Sequence, residues 1–160
     1  MTRFVLVSMA FAALVLSAVV ALTPSQGAAM TFYADKIRVS LFTGLLTVGS
    51  FLLSLKVFIV VKFKENVFDS PAYLELLNER RKIKPSLKHY APVRQLSTVL
   101  FVAISSALIA SVSQVTIGLI AHPAAFLICI ALAAFAGAML FQTLILIRVI
   151  LTEWLDYMEK

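Results

Sequence analysis

Acidic residues are missing from every long apolar run of this chain; Asp and Glu occur only between those runs or at their ends. No carboxylate is therefore expected at mid-membrane depth. That weighs against a proton-coupled pump or transporter, which ordinarily carries ionisable groups inside the bilayer. Cysteine is as scarce. The one thiol, Cys129, falls inside an apolar run, which excludes an intramolecular disulfide and leaves the redox compartment open. Paired carboxylates, metal-ligand spacings, nucleophile–base–acid sets and phosphate-cradling glycine loops are lacking. No two histidines are placed to hold a haem, and no inverted repeat with broken helices is evident. Neither an enzyme nor a stand-alone secondary transporter is expected, and no cofactor or metal is called for.

Charge itself is sparse. Only 14% of the 160 residues are charged, against about 25% in soluble domains. Hydrophobic residues make up 61%, and the mean hydropathy is +0.98. Soluble chains of this size do not carry several uncharged runs of about twenty residues. The composition predicts an all-α integral membrane protein forming a single membrane domain. Its four transmembrane helices are expected at about 4–22, 39–61, 95–120 and 124–147, with a hydrophilic segment at 62–94. The net charge of +6 would suggest nucleic acid in a soluble protein. Here the basic residues cluster between two spans, so the expected partner is an anionic membrane face, not nucleic acid.

Phe4 to Leu22 reads either as a first transmembrane helix or as a secretory signal peptide, and its length favours the helix. Thr23 to Thr31, with Pro24, Ser25 and Gly27, reads as a turn-rich connector. Phe32 and Tyr33 suit a membrane–water interface, and Asp35 is spaced to pair with Arg38.

The segment 62–94 is short enough for the positive-inside rule and carries an excess of Lys and Arg, which places it in the cytoplasm with both chain termini. Either a bacterial inner membrane or a eukaryotic membrane fits. Ser70-Pro71 reads as a helix start and Pro85 as its limit, which predicts a short amphipathic cytoplasmic helix. Arg80, Arg81, Lys82, Lys84 and Lys88 form a basic cluster of the kind that meets anionic headgroups or a docking partner. His89 reads as a solvated loop residue.

The third span is rich in small residues, with Ser106, Ala110 and Gln114 along one side. Ala121-His122-Pro123 is too short for anything but an antiparallel hairpin with the fourth span, where Ala133 and Gly137 repeat the small-residue theme. Folding that hairpin about His122 puts Gln114 near Cys129, and Gln142 near Thr98 to Phe101. His122 reads as a surface residue, since no second ligand is spaced for it. Trp154 and Tyr157 suit an interfacial anchor.

The second span alone carries a patterned polar face. Ser40, Thr43, Thr47, Ser50 and Ser54 recur at alternating spacings of about three and four, along one side of a helix. Such hydroxyls let another helix approach and hydrogen-bond, or they face a water-filled space built from several copies. Gly44 and Gly49 sit beside them. Lys56 lies about 200° round the helix from Ser54 and points away from the stripe. Its long stem suits snorkelling to the headgroups, or contact with an anion or a lipid headgroup. The expected function is non-enzymatic: an accessory or scaffold component working through helix–helix assembly in a homo-oligomer or larger membrane complex. The alternative is a homo-oligomeric channel or pore lined by the stripe.

Overall fold

The computed structural model describes residues 2–23, 25–63, 78–79, 82 and 90–158. The described residues are helical apart from short turns, with no strand among them. Helices α1 (Thr2–Leu22), α2 (Gln26–Phe32), α3 (Arg38–Phe63), α4 (Ala91–Val115) and α5 (Pro123–Met158) follow one another. A π-helical segment, Tyr33–Ile37, joins α2 to α3, and a 3₁₀ turn, Ile117–Leu119, lies between α4 and α5. Four stretches are long and apolar enough to cross a membrane: Thr2–Leu22, Gly27–Lys62, Arg94–Leu119 and Pro123–Ile150.

The expected connector at 23–31 is largely helix. Ser25 stops short of helical geometry and its hydroxyl accepts from the Ala28 N–H at 3.3 Å, so α2 begins three residues into what reads as turn-rich sequence. A side-chain cap satisfies an N–H that the first turn leaves open. The chain then runs helically from Gln26 to Phe63 through the π segment, where the Arg38 N–H donates to the Tyr33 carbonyl. One extra residue in that turn shifts the helical register by about 100°. Tyr33 thereby turns inward and is 2% exposed.

The third apolar stretch, Arg94–Leu119, matches the span expected at about 95–120, but it is not α-helical throughout. Its α-helix stops at Val115, and the remaining residues before the turn are 3₁₀ or irregular. His122 is exposed, as expected, and its Nδ1 accepts from the Ala124 N–H at 3.2 Å, one residue beyond Pro123. It caps α5, with proline at the first helical position.

Helix α4 is the middle of the packing order. It lies against α3 on one side and α5 on the other, and α5 in turn carries α1. Ala103, Ala107, Ala110 and Ser111 are fully buried, and such small side chains let neighbouring backbones approach closely. Ser111 Oγ donates to the Phe42 carbonyl of α3 at 2.8 Å. A Cβ added at Gly49 would lie 3.2 Å from Leu108 Cδ2 and 3.6 Å from Ala107 Cβ. Glycine there allows the α3–α4 approach. Midway along, Leu45, Ala110 and Ala136 bring α3, α4 and α5 together, with Ala133 packed against them. Nearer the hairpin, Tyr33, Phe126 and Cys129 form a second core.

Of the expected cytoplasmic helix, Asn78, Glu79 and Lys82 are helical and exposed; the rest, including Arg80, Arg81, Lys84, Lys88 and His89, lies outside the described residues. So do the side chains of Trp154 and Tyr157.

Candidate functional site

Helix α3 has two opposed faces. Leu45, Gly49 and Leu52 are buried against the chain's own helices. Ser40, Thr43, Thr47, Ser50 and Ser54 are all exposed. On a helical wheel the two sets lie about 170° apart, so among the described residues the hydroxyls point away from the other helices. Two of them turn back on their own helix: Ser40 Oγ lies 3.4 Å from the Lys36 carbonyl, and Ser54 Oγ 3.5 Å from the Ser50 carbonyl. Back-bonding of this kind partly satisfies a hydroxyl without a partner helix. The flanking glycines divide between the faces. Gly49 is buried at the α4 seam, whereas Gly44 is exposed and a Cβ there would meet nothing within 4 Å.

Lys56 sits on the packed side, half-buried, with its Nζ 4.9 Å from the centroid of the Phe101 ring on α4. An ammonium over an aromatic face is held by the ring quadrupole.

The second polar concentration is buried, where the π segment, α4 and α5 meet. Tyr33 Oη donates to Gln114 Oε1. Gln114 Nε2 donates to the Ala110 carbonyl at 3.1 Å and to the Cys129 carbonyl at 3.2 Å. Cys129 Sγ donates to the Ser113 carbonyl at 3.3 Å. The Tyr33 ring meets Phe126 edge-on, centroids 5.1 Å apart. Gly118 allows this closure, since a Cβ there would lie 3.1 Å from Tyr33 Oη and 3.5 Å from Cys129 Sγ. Arg38 donates from Nη1 to the Gly118 carbonyl at 3.1 Å. The expected Asp35–Arg38 pair is not formed: the guanidinium reaches across to an open carbonyl past the end of α4, and Asp35 is exposed. Every buried side-chain nitrogen and oxygen among the described residues has a hydrogen-bond partner. Chemically the junction is a closed lock between helices.

The hairpin register brings Gln114 to Cys129 but does not bring Gln142 to the third span. Gln142 Nε2 donates instead to Ser8 Oγ at 2.7 Å and to the Phe4 carbonyl at 3.3 Å, both on α1. The face of α5 that carries Gln142 is the one α1 covers, a neighbour that a two-helix register ignores. Ser106 closes on its own helix, donating to the Ala103 carbonyl at 2.8 Å. Gly137 is exposed, with nothing within 4 Å of an added Cβ, so it makes no close packing contact among the described residues. Tyr33, Ser8 and Ser111 are the participants least visible in sequence. Each is a lone polar residue whose partner lies on another helix.

Among the described residues no group of three or more His, Cys, Asp or Glu could hold a metal ion. Compared with protein-family profiles, with curated proteins and with solved structures, the chain matches none of them.

Proposed function

We propose that this chain is a non-enzymatic integral membrane protein that works by helix–helix assembly, as an accessory or scaffold component of a membrane complex. The observation that carries the reading is the direction of the α3 stripe. Five hydroxyls on a membrane-length helix face away from the chain's own packing. In hydrocarbon each gains from a partner, by about 0.6–2 kcal/mol per hydrogen bond across helices. Gly44, open beside them, would let a further backbone come close. Gly137 offers a second open small-residue position, on α5. The basic segment 62–94 is assigned to the cytoplasm with both termini, by the charge rule for short loops.

A second reading uses the same face: several copies turn it inward around water, forming a channel. Hydroxyl-lined walls suit that use as well. One experiment separates the two. In Thr47→Cys protein kept in its own membrane, a helix interface leaves the thiol unreactive towards a charged, membrane-impermeant reagent. A water-filled pore makes it reactive, and Thr47→Val with Ser50→Ala then changes ion flux. Cys129 is buried and serves as the silent background. A thiol that is unreactive and also never cross-links to protein would overturn both readings.

A further inference from the structure

We propose that the α3–α4 seam, at the end where Phe63 and Ala91 lie, holds the headgroup of an anionic phospholipid between Lys56 and Arg94. This rests on the membrane reading above, but not on what covers the hydroxyl face of α3. Lys56 lies within an apolar run, about 10 Å along the axis from Phe63. No acidic residue lies in that run, and none pairs with it among the described residues. Its ammonium instead rests over the ring of Phe101, a residue that is 59% exposed. Arg94 is exposed on α4, nearly two turns before Phe101 and about 20° from it round the helix. Two cations thus share one side of the seam at different depths, and both side chains are long enough to reach towards a common phosphate.

The depth decides the source of that phosphate. Leu53 and Val57 are 51% and 63% exposed and lie within about 100° of Lys56 on α3. Together with Phe101 they offer an apolar outer wall beside Lys56, which Leu53 continues deeper along α3. A soluble anion leaves that wall uncovered, whereas an acyl chain runs along it while the headgroup meets the charges. Basic recesses between membrane helices take anionic headgroups in this way. The contact differs from attraction by the basic loop, because it requires Lys56 itself.

The test is native mass spectrometry of the full chain in detergent, supplied with either phosphatidylglycerol or phosphatidylcholine. Wild-type protein is expected to retain phosphatidylglycerol preferentially. Lys56→Gln and Arg94→Gln, each with the basic loop intact, are each expected to lower that retention about fivefold, while Lys56→Arg keeps it. Millimolar inorganic phosphate should not displace the lipid. Equal retention of the two lipids by wild type, or unchanged phosphatidylglycerol retention in Lys56→Gln, would overturn the headgroup site while leaving the membrane reading intact. Displacement by inorganic phosphate would overturn the lipid as the occupant. Unchanged helical circular dichroism and retention of phosphatidylcholine guard against a variant that has merely misfolded.

Discussion

The two faces of α3 use opposite chemistry. The inner face is leucine and glycine, packed so closely on α4 that Gly49 has little room for a side chain. The outer face carries all five hydroxyls of the stripe, and all five are exposed among the described residues. Hydroxyls therefore do not make the α3–α4 seam of this bundle, apart from Ser111, which reaches the Phe42 carbonyl from α4. Close backbone approach makes it, as expected where lipid and side chain are equally apolar and shape decides. Under the assembly reading proposed above, the stripe is left for contacts outside the chain.

Substitutions can break that comparison, and their expected effects fall in order. Gly49→Leu forces a branched side chain into the seam beside Leu108. It should destabilise the bundle by about 1–3 kcal/mol or more, read as a lower midpoint of unfolding in detergent. Gly44→Leu should leave that midpoint unchanged. If the two glycines behave alike, the division into faces is wrong.

Gln114→Leu comes next. It removes the acceptor of Tyr33 and the donor to the Cys129 carbonyl, leaving a buried hydroxyl unpaired at a cost of about 1–3 kcal/mol. Adding Tyr33→Phe should recover part of the loss, because the hydroxyl left without a partner is then gone. A double variant no more stable than Gln114→Leu alone would show that the two residues do not act together.

Gln142→Leu should be milder, about 0.6–1.7 kcal/mol. Its effect should appear as faster proteolysis of α1 with the rest of the bundle intact, since both hydrogen bonds of Gln142 among the described residues go to α1. Global unfolding at that position would contradict a local lock. Thr47→Val with Ser50→Ala is the smallest on folding, within about 0.5 kcal/mol, and is expected to act on assembly alone.

Helix number and the hairpin were legible because they rest on length and charge spacing, which survive any detail of packing. The α3 stripe was legible as a pattern, but its direction was not. Periodicity shows that residues share a face and says nothing about which neighbour the face meets. The π turn at Tyr33–Ile37 left no trace in composition, yet it turns Tyr33 into the core. Gln142 was assigned to the wrong partner because hairpin arithmetic counts two helices and its true partner, Ser8, lies on a third. The basic cluster at Arg80, Arg81 and Lys82 tests separately: neutralising it should weaken binding to anionic liposomes in a salt-dependent way. Unchanged binding would reduce the cluster to a topology signal.

The central claim is that the outer face of α3 is covered by protein in the membrane. It is tested most directly by placing a photo-activated cross-linking residue at Thr47 and, in a second protein, at Leu14, an outward position on α1 that is 63% exposed. Irradiation in intact membranes should give one discrete cross-linked protein product from position 47 and none from position 14. Products from both positions, or from neither, would contradict it.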